Sequence, residues 1–198
     1  MEFRELSVPD AFEFTPATFP DARGVFTAPF QLEPFTEAVG HGLTVKQTNV
    51  SMSRKGAFRG IHYADVPPSQ AKYVTAVSGS LLDFVVDLRE GSPTFGKWDC
   101  VLLDTVDRRA VYLPEGLGHA LFALEDDSTA LYLCSEAFAP RREHGISPQD
   151  PDINLQLPPG IEPVVSEKDA AAPLLSELAG TGTLPTYAAC REFYSTLT

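Results

Sequence analysis

Short apolar runs alternate with turn residues along most of the chain, and this pattern predicts strands. The runs are rich in Val, Ile, Thr, Tyr and Phe, and Gly, Pro, Asp and Ser separate them. The predicted strands cover residues 45–53, 57–64, 71–78, 81–88, 98–104, 109–113, 119–124 and 129–135. Turn signals that recur about every 8–12 residues are typical of an all-β sandwich or barrel.

Two of these strands differ in the faces that they present. The run 81–88 is apolar on both faces, which predicts a central strand. In the run 45–53, the odd positions include Gln47, Asn49 and Ser51, and they share one face because side chains alternate along a strand. That polar face is either the solvated side of a sheet or the lining of a polar pocket.

The last forty residues have a different pattern, which predicts helices. The best helix candidate runs over residues 166–179, where Ser166 and Asp169 have the S-x-x-D spacing of a capping box. Pro173 is compatible with this helix only if the helix begins just before it. A second short helix is predicted over residues 187–195.

The length of 198 residues predicts one domain. We divide it into N-terminal strands (1–40), a β barrel (41–158) and a helical tail (159–198). An apolar fraction of 43% is sufficient for a packed core.

Charge and cysteine content limit the possible partners and the location. The 15 basic and 27 acidic residues give a net charge of −12, which opposes coating nucleic acid or an anionic membrane but allows binding of one small anion. The three cysteines form no C-x-x-C pair, which predicts reduced thiols. The N-terminus lacks a signal-peptide pattern, and no apolar run is long enough for a membrane span. We therefore expect a cytoplasmic protein.

Two of the four histidines are candidates for chemistry. His62 lies within a predicted strand, and His119 ends the P-x-G-x-x-H element Pro114–His119. A histidine on a strand is more often a hydrogen-bonded core residue than a catalyst. Two such residues, each beside a glycine, favour a site.

The P-x-G-x-x-H element resembles the second motif of the cupin barrels, whose first motif, H-x-H followed by Glu, binds a metal together with it. Here Ala64 stands in place of the second imidazole, and Gln70 and Lys72 occupy the region of the carboxylate. An ammonium group would repel a divalent ion. We therefore expect no metal.

A polar barrel with His, Lys, Tyr and Arg suits proton abstraction beside a carbonyl group. Histidine is a base with a pKa near neutrality, and a carboxylate would fix its tautomer. A cation or hydroxyl would stabilise the enolate oxygen. Inversion of the carbon then requires an acid on the opposite face, such as a tyrosine.

The chain resembles the RmlC-type dTDP-4-dehydrorhamnose 3,5-epimerases and related dTDP-4-keto-6-deoxyhexose epimerases over nearly its whole length. The resemblance rests on seven ordered blocks: FPDARGVF (19–26), QTNVSMSRKGAFRGIHY (47–63), PPSQAKYV (67–74), VDLREGSPTFGKW (86–98), YLPEGLGHAL (112–121), YLCSEAFAPRREHGISPQDPD (132–152) and SEKDAAAP (166–173). It implies a mainly β, cupin-like jelly-roll barrel with a short C-terminal helical tail, a homodimer, and no metal or organic cofactor.

The resemblance also implies roles for individual residues. His62 corresponds to the catalytic base, Asp169 to its carboxylate partner, Tyr132 to the acid on the opposite face and Lys72 to the group that stabilises the enolate oxygen. The implied substrate-binding residues are Arg23 and Arg59 at the pyrophosphate, Phe26 against the thymine, and Gln47, Asn49, His119, Phe138 and Glu143 around the pocket.

One spacing in this set conflicts with a regular strand. Arg59 and His62 are an odd number of residues apart, so they would point to opposite faces. Either a bulge at Gly60 brings the two side chains to one face, or they act at different parts of the site.

Three departures from the family pattern affect the specificity. Phe138 stands where the double epimerases commonly carry a second tyrosine, Ala28 replaces a commonly acidic residue and Ala64 replaces a frequent Gln. Whether C3, C5 or both are inverted therefore stays open. The alternatives are a metal-dependent cupin enzyme and a nucleotide-sugar binding protein without catalysis.

Overall fold

The computed structural model describes residues 1–197, which form fourteen strands and four helices in that range. In chain order they are β1 (Glu2–Glu5), β2 (Phe12–Thr15), β3 (Thr18–Asp21), β4 (Gly24–Thr27), α1 (Leu32–Val39), β5 (Gln47–Ser53), β6 (Ala57–Ala64), β7 (Lys72–Ser78), β8 (Ser80–Asp87), β9 (Trp98–Asp104), β10 (Ala110–Leu113), β11 (Leu117–Ala123), β12 (Ser128–Cys134), β13 (Glu143–Gly145), β14 (Val164–Val165), α2 (Glu167–Ala170), α3 (Leu175–Leu178) and α4 (Tyr187–Tyr194). None of these helices is long and apolar enough to cross a membrane.

Two six-stranded sheets make up the barrel. The first has the order β1-β2-β10-β7-β12-β5, and the second has the order β13-β6-β11-β8-β9 with β14 added beside β6. Residues of both sheets, such as Val74 on β7 and Val85 on β8, form one buried apolar cluster between them. This mainly β, jelly-roll architecture with a short helical tail confirms the predicted fold class. The hairpin of β3 and β4 is a separate two-stranded sheet.

The eight strands predicted from the sequence are all present, with bounds that differ by two residues at most. The expected central strand is β8, which lies between β11 and β9. Leu81 and Val85 point into the barrel, whereas Phe84 and Val86 pack beneath the C-terminal part of the chain in a second buried cluster. The tail covers the outer face of this sheet, which explains why β8 is apolar on both faces.

Two local predictions were wrong. The single helix expected over residues 166–179 is two short helices, α2 and α3, with Pro173 between them. Proline has no backbone N–H and its ring clashes with the preceding turn, so one helix cannot continue through it. Helix α1 lies within residues 1–40, for which the sequence predicted strands only. The predicted Ser166 cap is present, because its Oγ accepts a hydrogen bond from the N–H of Asp169 at 3.1 Å.

A bulge at Gly60 brings Arg59 and His62 to the same side of the barrel. His119 on β11 pairs with His62 and Leu121 pairs with Arg59, so β6 contains one extra residue between these two pairs. Gly60 has a φ of +125°, which only glycine adopts readily. Both side chains consequently line one cavity. Of the two alternatives from the sequence, the structure therefore has the bulge at Gly60.

The bulge should tolerate no side chain at position 60. In Gly60→Ala the new Cβ would lie 2.5 Å from the carbonyl oxygen of His119. We expect a loss of roughly 2–5 kcal/mol in the free energy of unfolding, from backbone strain plus overpacking. Gly160→Ala is the matched control, since its φ is +80° but no atom of residues 1–197 lies within 4 Å of the added Cβ. This control should lower the free energy of unfolding by about 1–2 kcal/mol, from backbone strain alone. Equal losses in urea unfolding of the two variants would contradict this account.

Candidate active site

A cavity of about 530 Å³ opens between the two sheets, and most of the residues singled out from the sequence line it. They are Gln47 and Asn49 on β5, Arg59 and His62 on β6, Lys72 on β7, His119 on β11, Tyr132 on β12, Phe138 in the following loop, Glu143 on β13 and Asp169 on α2. The polar face of β5 is therefore the lining of a pocket.

A close polar contact at the cavity joins His62 to Asp169, with 2.7 Å between Nε2 and Oδ1. Asp169 is buried on the short helix α2, whose position follows from the parallel pairing of β14 with β6. A carboxylate only accepts hydrogen bonds, so Nε2 carries the hydrogen and Nδ1 keeps its lone pair. The pair thus fixes the tautomer in which Nδ1 is the basic nitrogen.

Three effects set the protonation of this imidazole. Removal from water lowers the pKa of His62 below its usual 6.5, while the hydrogen bond and charge of Asp169 raise it. The positive charges of Lys72 and His119 add a smaller lowering effect. The net direction is downward, so His62 is neutral at pH 7 and available as a base.

Tyr132 belongs to the first sheet, whereas His62 belongs to the second, so the two residues approach the cavity from opposing walls. The Tyr132 hydroxyl lies 3.1 Å from Oγ of Ser51. Burial raises the pKa of Tyr132 to about 12. The phenol therefore keeps its proton at neutral pH and can act as an acid.

His119 is held by a buried aspartate that the sequence analysis did not single out. Its Nε2 lies 2.9 Å from Oδ1 of Asp83, which is fully buried on β8, and its ring edge faces Tyr132 at 6.0 Å between centroids. Burial raises the pKa of Asp83, against the effects of His119 and Lys72. The signal for this residue was an acid inside the otherwise apolar run 81–88, because a buried carboxylate needs a partner.

The cavity is rich in cations although the chain is acidic overall. Four cationic side chains line it, and these are Arg54, Arg59, Lys72 and Lys168. Asp169, which is committed to His62, and Glu143 are the acidic residues among the lining. Burial lowers the pKa of Lys72, whose surroundings include the carboxylates of Glu143 and Asp83. This excess of positive charge suits an anionic ligand.

Arg54 and Lys168 were missed from the sequence for different reasons. Arg54 is exposed at the end of β5, and nothing in the pattern separates it from an ordinary surface cation such as Lys55. Lys168 lies in the SEKD block beside Asp169, so its position in the sequence could have identified it.

Two predicted substrate-binding residues, Arg23 and Phe26, are not brought to the cavity of their own chain. Both belong to the β3–β4 hairpin, and neither lines the cavity. The Phe26 side chain is 69% exposed, and the Arg23 guanidinium pairs with Asp21. The physical reason is that the hairpin strands pair with each other and with neither sheet of the barrel.

No group of three or more His, Cys, Asp or Glu residues within 1–197 has the arrangement of a metal site. His62 and His119 each direct Nε2 to a carboxylate. Residues 1–197 therefore contain no ligand set of the kind that a metal-dependent cupin enzyme requires.

The family model and the similar proteins of known name all point to one family of epimerases. The family model described as dTDP-4-dehydrorhamnose 3,5-epimerase matches residues 5–177. A protein of Mycolicibacterium smegmatis with the name dTDP-4-dehydrorhamnose 3,5-epimerase is 52% identical over 197 residues, which cover 100% of this chain and 97% of that protein. A Streptomyces niveus protein named dTDP-4-dehydrorhamnose 3-epimerase is 48% identical, covering 96% of this chain and 92% of the relative.

Solved structures agree with these relatives. The Mycobacterium tuberculosis rmlC epimerase superposes with a TM-score of 0.97 at 48% identity, with 100% of both chains covered. ChmJ, a 3'-monoepimerase from Streptomyces bikiniensis in complex with dTDP-quinovose, gives a TM-score of 0.94 at 46% identity, with 97% of both chains covered.

The electrostatic account of His62 can be tested by NMR titration of the imidazole. We expect a midpoint below 6.5, because removal from water outweighs the effect of Asp169. Asp169→Asn should lower the midpoint further, since it removes the charge that favours the imidazolium. Asp65→Asn is the control, because Asp65 pairs with His144 and does not line the cavity. A midpoint above 6.5, or an upward shift in Asp169→Asn, would refute the account.

Proposed function

The chain belongs to the dTDP-4-dehydrorhamnose 3,5-epimerase family, and from this premise we propose that it inverts C3 of a dTDP-4-keto-6-deoxyhexose. The observation that carries the proposal is the His62–Asp169 pair facing Tyr132 across a cationic cavity. We choose C3 because the names of both relatives, the 3,5-epimerase and the 3-epimerase, include position 3. The proposed place of the reaction is dTDP-deoxysugar biosynthesis, for rhamnose or for an antibiotic sugar.

In the first step, Nδ1 of His62 removes the proton from C3. This C–H bond is acidic because it adjoins the C4 ketone, and the electron pair moves onto the C4 oxygen as an enolate. The ammonium of Lys72 and the imidazole of His119 line the same cavity and stabilise that oxygen. Asp169 stabilises the imidazolium that forms.

In the second step, Tyr132 returns a proton to C3 from the opposite wall. The electron pair of the enolate forms the new C–H bond, and the C4 ketone is restored. His62 has gained one proton and Tyr132 has lost one, so exchange with water resets the pair. No electrons are transferred to an acceptor, and the proposal therefore includes no cofactor.

Charge and the ligands of relatives support the nucleotide part of the substrate. Arg54, Arg59 and Lys168 line the cavity, and guanidinium groups suit the oxygens of a diphosphate. The ChmJ structures contain dTDP and dTDP-quinovose. We propose that Gln47, Asn49, Phe138 and Glu143 contact the substrate in the same cavity, as the sequence predicted.

We also propose that the protein is a homodimer in which the β3–β4 hairpin reaches a second copy. The hairpin exposes Phe19, Val25 and Phe26, and the edge strand β5 exposes Val50 and Met52. Clustered exposed apolar residues of this kind mark association surfaces. An exchange of hairpins would carry Arg23 and Phe26 to the cavity of the partner, where the predicted substrate contacts become possible.

A cytoplasmic location is part of the same proposal. It is supported by the three free cysteines, because thiols remain reduced in the cytoplasm.

The proton-transfer roles can be tested with dTDP-4-keto-6-deoxyglucose in deuterated water. His62→Ala should reduce deuterium incorporation at C3 by about 10²–10⁴-fold, since the base is lost. Tyr132→Phe should still exchange the C3 proton through His62 but should invert the carbon slowly. NMR of the recovered sugar measures the label and the configuration.

Each rival hypothesis predicts a different result, in that experiment or in a chelation experiment beside it. A nucleotide-sugar binding protein would bind dTDP and incorporate no deuterium, and this result from the unmodified protein would refute the proposed function. A metal-dependent cupin would lose activity to a chelator and regain it with the metal. Unchanged label in His62→Ala would reject the base, and unchanged inversion in Tyr132→Phe would reject the acid.

Hairpin exchange can be tested by mixing His62→Ala and Arg23→Ala, two variants that we expect to be inactive when each is alone. A mixed dimer would contain one cavity with His62 from one chain and Arg23 from the other, so mixing should restore activity. Each variant mixed with itself is the control. Absence of recovery in a mixture shown to contain mixed dimers would mean that the two residues do not act together across the interface.

A further inference from the structure

The loop after β12 forms one wall of the cavity without being part of a helix or strand. We call residues 136–139 the wall segment. It carries Phe138, which lines the cavity although its side chain is 57% exposed. Within residues 1–197 no sheet ladder fixes this backbone, and apart from the hydrogen bond that the Arg142 N–H donates to the Ala139 carbonyl at 2.8 Å, side chains hold it.

Two side chains that line the cavity hold consecutive amides of the wall segment. The N–H of Phe138 donates to Oε1 of Gln47 at 2.9 Å, and the N–H of Ala139 donates to Oε1 of Glu143 at 3.2 Å. Gln47 is itself oriented, because its Nε2 donates to Oδ1 of Asn49 at 2.7 Å. The polar face of β5 is thus connected to the backbone that carries Phe138.

The start of the wall segment is held in a similar way. Nε2 of the buried Gln70 donates to the carbonyl oxygen of Glu136 at 2.7 Å, and the Glu136 carboxylate forms an ion pair with Lys46. Because this end is fixed independently, losing one bond at Phe138 or Ala139 should loosen the wall locally and leave the barrel intact.

We propose that Gln47 and Glu143 are positioning residues that hold the wall segment through their Oε1 atoms and so restrict the sugar to the orientation that presents C3 to His62. The inference rests on the proposed function. C3 and C5 both adjoin the C4 ketone, so either carbon becomes acidic when it faces the base. A fixed Phe138 ring limits rotation of the sugar between these two orientations, whereas a loosened wall allows C5 to reach His62.

The test replaces each side chain in two ways. Gln47→Met and Glu143→Met remove the acceptor oxygen but keep an unbranched side chain. Gln47→Glu and Glu143→Gln keep an acceptor oxygen and change the charge, and in Gln47→Glu the contact with Asn49 is kept when the Asn49 amide turns to donate its Nδ2. In deuterated water, the Met variants should raise the ratio of C5 label to C3 label at least threefold, while the acceptor-retaining variants keep the ratio of the unmodified protein.

The kinetic constants separate positioning from substrate contact. A change of charge should raise KM in Gln47→Glu without moving the label ratio, because a carboxylate in the cavity repels the anionic substrate but still accepts from the Phe138 N–H. If both Met variants keep the original label ratio, the proposal is overturned. It is also overturned if the acceptor-retaining variants shift that ratio as far as the Met variants do.

A second readout does not depend on turnover. Amide hydrogen exchange at Phe138 should be at least tenfold faster in Gln47→Met than in Gln47→Glu, and the exchange at Ala139 should respond in the same way to Glu143→Met against Glu143→Gln. Equal exchange rates would contradict the positioning role. Failure of the unmodified protein to label C3 would instead refute the proposed function, so the two failures are distinguishable.

Discussion

The hydrogen bond between His62 and Asp169 is the contact on which the site depends. It joins a barrel strand to a short helix 107 residues further along the chain, so it exists only when the tail is docked. Pairing of β14 with β6 and the Ser166 cap place α2 against the barrel. In a cavity where removal from water lowers the pKa of His62, this carboxylate orients the ring and favours its protonated form when the ring takes up a proton.

The barrel adds the second constraint, which is the opposition of the proposed base and the proposed acid. The sheets hold His62 and Tyr132 on facing walls, and the bulge at Gly60 turns Arg59 toward the same cavity. Stereochemical inversion requires removal and return of a proton on opposite faces of a carbon. The two sheets provide that separation, and the less regular wall segment then adjusts how the ligand fits.

The sequence predicted the strands because period-two alternation reports local structure directly, and its resemblance to the epimerase family implied most of the cavity lining. It did not predict helix α1 or the break between α2 and α3 at Pro173, because local turn chemistry determines where these short helices begin and end. Asp83 was missed because its role comes from its contact with His119 on the neighbouring strand β11, and Arg54 because its sequence context does not separate it from an ordinary surface cation. Arg23 and Phe26 lie on a hairpin whose strands pair with each other, and an alternation pattern does not show where such a hairpin lies relative to the barrel.

The most direct test of the account compares two pH profiles, the rate of proton loss from C3 and the NMR titration of the His62 imidazole. If His62 is the base, the acid limb of kcat/KM lies below pH 6.5, coincides with the imidazole midpoint, and moves with it to lower pH in Asp169→Asn. An acid limb that stays in place while the imidazole midpoint moves would show that another group removes the proton, and would contradict the account.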